Sequence, residues 1–291
     1  MKKLIIVALS SVLAVMAVQP AGAEDQRVLA IIDSAIDSSK VPSVIYEACF
    51  TVSKTMGCPN GLTEMEGKGA ANSPLWPSTQ INTLGRVYHG YNVTQAALVT
   101  NPNTKIIFIR MAGIAKENGN QAADPKDSTS VARAIKWVSD NAAKYSIDAV
   151  SISQSWITPS ALSLCSDKSV NANVTSLAAQ NIPVFAATGN DGSATLIGFP
   201  ACVNGVIGVG AYDAKSNIIE KATNKGNGLD VVAPRLINII RYNGTPVDFT
   251  ATSAATPIAA ALYVGSTSHS NSDSFINSFT KVLGKYPYIS K

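Results

Sequence analysis

Apolar residues along this chain come in short continuous runs rather than alternating with polar ones. Six such runs span residues 28–32, 105–110, 148–153, 182–187, 205–211 and 229–233. A brief run without an outward polar face predicts a strand buried on both sides, as in a parallel sheet. Longer stretches with helical spacing lie between them, clearest in Ser130 to Lys144 and Ser169 to Gln180. This alternation predicts an α/β fold: a three-layer sandwich with a mostly parallel central sheet and helices on both faces. Val93, Ala96, Ala97 and Thr100 also recur at helical spacing, so His89-Gly90 stands at or just inside a helix start. The apolar stretch Ile258 to Val264 predicts a buried helix opened by Thr252-Ser253.

The amino end has a different pattern. Lys2-Lys3, the apolar stretch Leu4 to Val18 and the small residues Ala21-Gly22-Ala23 form the series of a secretory signal peptide, residues 1–23, cut after Ala23. The expected mature chain, residues 24–291, suits one α/β domain in a secreted or periplasmic protein. No other stretch approaches the about 18 uninterrupted apolar residues of a membrane span. The signal segment holds two of the 23 basic residues and no acid, leaving 21 basic against 19 acidic. So slight an excess predicts no nucleic-acid or acidic-surface partner. Gly205, Gly208 and Gly210 have the wrong spacing for a dinucleotide loop. No Cys/His cluster has zinc spacing, so no metal is expected on that ground.

Three residues carry candidate chemistry. Ser253 follows Phe249-Thr250-Ala251-Thr252 and precedes Ala254-Ala255-Thr256-Pro257. A serine in the first turn of a helix lies near unpaired backbone N–H groups and the positive end of the helix dipole, which suit a developing oxyanion. The same Thr-Ser pair is also an ordinary helix cap. A serine nucleophile needs a base, and there are two histidines. His269 sits in the polar loop Ser266 to Ser272 and reads as a solvated residue, which leaves His89. Asp33 closes the apolar run Val28 to Ile32, at the strand end where open α/β sheets place their ligands. An aspartate there either caps a turn or orients an imidazole and stabilises its cation.

Asp, His and Ser in that chain order are the order of subtilisin. The chain resembles the subtilase family of serine peptidases over roughly residues 28–265. Asp33-Ser34 is similar to the family's aspartate motif, His89-Gly90 to its histidine motif, and Thr252-Ser253 with Ala255 and Pro257 to its serine motif. Val184 to Gly192 resembles the strand that supplies an oxyanion-hole asparagine, here Asn190. Val150 to Ser155 resembles the strand that cradles substrate, which nominates Ser151, Ser153, Gln154 and Ser155 as substrate-binding residues. The resemblance implies an endopeptidase with a polypeptide substrate and an acyl-enzyme on Ser253. His89 serves as general base, Asp33 orients it, and Asn190 with the Ser253 N–H holds the oxyanion, assisted by the Thr252 hydroxyl. No cofactor is expected; calcium is common in the family, but no acidic loop announces a site.

Departures from the family pattern frame an alternative. Ala35 and Ala251 replace glycines, Ala254 replaces a methionine, and Tyr91-Asn92 and Gln154-Ser155-Trp156 replace smaller or simpler residues. If Tyr91, Ser155 and Trp156 filled the cleft, the chain would be a peptide-binding pseudoenzyme. An esterase is disfavoured because there is no Gly-x-Ser-x-Gly elbow and the acid precedes the serine. Subtilases generally carry a prodomain, yet only Glu24 to Arg27 separate the expected cleavage site from the first strand. The chain is then expected to fold unaided or with help from another chain, which makes a separate folding helper or inhibitor protein a candidate partner. Four cysteines in an exported chain favour two disulfides, and of three possible pairings Cys49–Cys58 and Cys165–Cys202 are preferred. The first would close a short loop after an expected first helix region, and the second would brace the loop after Asn190.

Overall fold

The computed structural model describes residues 27–52, 57–73, 88–112, 114–117, 120–123, 128–266 and 271–290. The expected signal peptide and His269 lie outside the described residues.

Every residue of β1 (Val28–Asp33) is buried. Val28, Ala30 and Ile32 join one apolar cluster, while Leu29 and Ile31 join the other. The continuous apolar run therefore serves two cores at once, one on each side of the sheet. From one edge the strand order is β10 (Ile218–Ile219), β9 (Val206–Asp213), β8 (Val184–Ala187), β7 (Ile147–Ile152), β1, β4 (Lys105–Arg110), β2 (Val44–Phe50) and β3 (Glu64–Glu66). A ninth strand, β11 (Val231–Pro234), also pairs with β9. Only β3 and β10 run antiparallel to their neighbours in this sheet. On one face pack α2 (Ser128–Tyr145) and α4 (Lys168–Ala179), through Ala134, Val138, Val174 and Leu177. On the other pack α1 (His89–Thr100) and α5 (Thr252–Gly265), through Val93, Ala97, Ile258 and Ala259. The three-layer α/β expectation holds, and all six apolar runs are strands.

Parallel strands place their carboxyl ends on one edge of the sheet. Asp33, residues 153–155 after β7, and Asn190 after β8 consequently share that edge. The chain has no described helix long and apolar enough to cross a membrane.

Residues 44–50 depart from expectation, forming the strand β2 rather than a helix before Cys49. Glu47 interrupts the apolar pattern there, and the fold satisfies it. Its carboxylate, 3% exposed, accepts hydrogen bonds from Ser38 Oγ and the Gly69 and Ala71 amides. A hairpin of β12 (Leu236–Ile240) and β13 (Pro246–Thr250) reaches back over the active edge. Both preferred disulfides are formed, Cys49–Cys58 and Cys165–Cys202, with Cα separations of 5.9 and 5.4 Å. The second ties the turn before α4 to the turn after Pro200.

Candidate active site

Asp33 ends β1 with no exposed surface. Its Oδ1 accepts from the Ser34 amide at 2.7 Å and lies 2.8 Å from His89 Nδ1. His89 can approach because of the residue after it. A Cβ at Gly90 would sit 2.8 Å from the Ala35 carbonyl oxygen and would also collide with the Phe108 ring. Only glycine lets the first turn of α1 close on β1 and β4. The Gly90 amide donates to Ser34 Oγ at 3.0 Å, tying the aspartate and histidine motifs together.

The His89 ring is flanked edge-on by Phe249 of β13, 5.5 Å between centroids. Burial pushes the imidazolium pKa down, but the charge and hydrogen bond of Asp33 outweigh burial, so it is raised above the ordinary 6.5. Nδ1 must carry its proton in this arrangement, because a lone pair facing a carboxylate at 2.8 Å would be repelled. Nε2 is left as the basic atom.

Ser253 is the second residue of α5. Pro257, four residues on, has no N–H, so the Ser253 carbonyl loses its helical partner. Ser153 Oγ supplies the replacement, donating to that carbonyl at 3.1 Å. In return Ser253 Oγ points to the Ser153 carbonyl at 3.5 Å, and it makes no hydrogen bond to His89 among the described residues. Ser153 thus fixes the serine's backbone, while the hydroxyl waits off the imidazole. A loose nucleophile–base contact is common in sites without substrate.

The residue before α5 is strained. Ala251 has φ 69° and ψ −162°, a region that is essentially glycine-only and costs about 1–3 kcal/mol for other residues. It is held there because its carbonyl accepts from the amides of Ala254 and Ala255 at 3.1 and 3.2 Å. Ala251→Gly is expected to stabilise the protein by about 1 kcal/mol, since relief of strain exceeds the roughly 0.5–1 kcal/mol entropic cost of glycine. Urea unfolding checks it; a lower midpoint for the glycine variant would mean that Ala251 is unstrained.

Asn190 stands beyond β8 and is exposed. Its Oδ1 accepts from the Thr252 amide at 3.2 Å and the Thr252 hydroxyl at 2.9 Å. A backbone N–H can only donate, so the atom facing it is the carboxamide oxygen, which leaves Nδ2 without a hydrogen bond among the described residues. The Ser253 N–H is likewise unbonded among the described residues. Two donors therefore stand at the head of α5, where the helix dipole favours negative charge. The Thr252 hydroxyl, expected to assist an oxyanion directly, is instead spent on orienting Asn190.

The four substrate-strand positions divide. Ser151 is wholly buried in β7 between β1 and β8, and among the described residues its hydroxyl makes no hydrogen bond. Ser153 braces Ser253. Gln154 Nε2 lies 3.1 Å from both Asp33 Oδ1 and His89 Nδ1, a contact that the sequence reading did not foresee. The Ser155 hydroxyl fills the gap between Gly189 and Gly198, buried and without a hydrogen-bond partner among the described residues. Tyr91 and Trp156 do not block the cleft as the pseudoenzyme alternative required. Tyr91 packs in the core with its ring edge against Tyr242, and Trp156 lies in the opposite core, its backbone bridged to Phe199. Among the described residues no group of three or more His, Cys, Asp or Glu converges as a metal site.

The sequence model of the subtilase family matches residues 25–274. Among solved structures, the prenylagaramide maturation protease PagA is 21% identical, aligning 81% of this chain with 74% of that one at a TM-score of 0.52. The self-cleaved protease domain of PatA is 18% identical over 82% and 78%, with a TM-score of 0.53. A lanthipeptide protease is 18% identical over 81% and 71%, with a TM-score of 0.56. At such identities the likeness is one of fold. No curated protein matches the chain. The family match spans most of the sequence, with the subtilisin-like fold beneath it: the chain belongs to the subtilase family of serine peptidases.

Proposed function

We propose that this serine peptidase is a secreted or periplasmic endopeptidase that cleaves polypeptides through an acyl-enzyme on Ser253. The observation that carries the reading is the 2.8 Å approach of His89 Nδ1 to Asp33 Oδ1 on the sheet edge where Ser253 opens α5. Substrate binding has to exchange the Ser253–Ser153 carbonyl contact for one to His89 Nε2. Nε2 then takes the hydroxyl proton as Oγ attacks the scissile carbonyl, and Asp33 stabilises the imidazolium that forms. Asn190 Nδ2 and the Ser253 N–H receive the negative oxygen. His89 next returns its proton to the leaving amine, and water repeats the sequence on the ester. Two disulfides support an oxidising compartment, and the pattern of residues 1–23 supports export, with residues 24–291 as the mature peptidase domain.

Because the base must be neutral, kcat/KM should rise with pH through a His89 pKa above 6.5. A fluorophosphonate is expected to label Ser253 in the folded, disulfide-bonded protein and to leave Ser253→Ala unlabelled. Absence of label and of casein or peptide cleavage between about pH 6 and 9 would overturn the triad and leave a peptide-binding module.

A further inference from the structure

One oxygen of Asp33 does all the work. Oδ1 is approached by three donors: the Ser34 amide at 2.7 Å, His89 Nδ1 at 2.8 Å and Gln154 Nε2 at 3.1 Å. Oδ2 is buried and has no hydrogen-bond partner among the described residues. An ionised carboxylate only accepts, so the Gln154 carboxamide presents its NH₂ to Asp33 rather than its oxygen. That NH₂ is also 3.1 Å from Nδ1 of His89. Nδ1 carries a proton, so two donors stand side by side, an approach that is tolerable because both converge on the same anionic oxygen.

From this geometry we infer that Gln154 is a positioning residue, which shares Asp33 Oδ1 with the imidazole and tempers the pull of Asp33 on its proton. The inference rests on the proposed triad. Two effects act in one direction. The amide's hydrogen bond draws off part of the carboxylate's charge, and the positive end of its dipole lies against the ring nitrogen. Both disfavour the imidazolium and keep the base neutral at lower pH. Among the described residues Asp33, from β1, is the only ionisable group acting on His89; β13 presents the uncharged Phe249 ring and the end of β7 presents Gln154 itself.

The test is a titration of His89 by NMR in Ser253→Ala protein, with the second imidazole assigned through His269→Asn. Gln154→Met removes the donor at similar length, and Gln154→Glu replaces the NH₂ with an acceptor. Both are expected to raise the His89 pKa, by about half a unit or more, with Glu above Met. In the active forms the acid limb of kcat/KM should move up by the same amount. A His89 pKa that stays unchanged or falls in Gln154→Met would overturn the inference, even if Gln154→Glu raises it, since the added negative charge does so by itself. The titration is read without catalysis, so it decides the role of Gln154 whether or not a given peptide is cleaved, and its failure is separable from failure of the triad.

Discussion

Asp33→Asn is expected to lower kcat by about 10⁴-fold with little loss of folded protein, the scale seen when a triad aspartate is replaced by its amide. The reason lies in the charge that forms on His89. Three donors converge on Asp33 Oδ1, so an asparagine keeps its carbonyl oxygen there and still accepts from Nδ1. What it loses is the negative charge that stabilises the imidazolium as His89 takes the Ser253 proton. The remaining activity should also shift. Burial lowers the His89 pKa and Asp33 raises it, so removing the carboxylate leaves burial unopposed and moves the acid limb to lower pH. Stability follows the same sign. The raised His89 pKa gives the wild type a contribution that is full below about 6.5 and lost as pH rises through the native value. For this group the variant's deficit should therefore be larger at acid than at alkaline pH. Rates within tenfold of wild type across the profile would remove Asp33 from the mechanism.

Legibility in the sequence followed burial. The central strands show as unbroken apolar runs because both faces of the sheet are covered, which is why β1, β4, β7, β8, β9 and β11 could be placed from the chain alone. β2 could not, since Glu47 breaks its pattern and is satisfied by the Ser38 hydroxyl together with amides from residues 69 and 71 that are remote in sequence. Asp33, His89 and Ser253 stood out because each opens or closes a well-marked element. Gly90 carried its own signal, as a glycine wedged after the histidine. The role of Gln154 was invisible, because its position on a substrate-like strand says nothing about which way the side chain turns. Only the fold aims it back at Asp33 rather than out toward a peptide. Ser153 was hidden for a similar reason: its partner is the Ser253 carbonyl, released by Pro257 and 100 residues away. Ala251 was recognisable as a substitution for glycine, but its positive φ, and hence its cost, belongs to the structure.

Asn190→Ala is expected to reduce kcat by about 10²–10³-fold while KM changes little, the usual cost of removing one side-chain donor from an oxyanion hole. The asymmetry between the two constants follows from when the hydrogen bond is made. A ground-state carbonyl is a weak, poorly placed acceptor, whereas the tetrahedral oxygen is charged and lies closer to the head of α5. The Asn190 side chain is oriented in advance by two donors from Thr252, so little reorganisation is needed as the charge develops. Thr252→Val gives a graded comparison. It removes the hydroxyl donor but keeps the amide, so Asn190 is held by one bond instead of two, and the expected loss in kcat is smaller than that of Asn190→Ala. The variant also leaves Asn190 in place, so any effect on kcat reports orientation rather than loss of the donor. If Asn190→Ala instead raised KM with kcat unchanged, Asn190 would be a ground-state binding residue, and the oxyanion would have to rest on the Ser253 N–H alone.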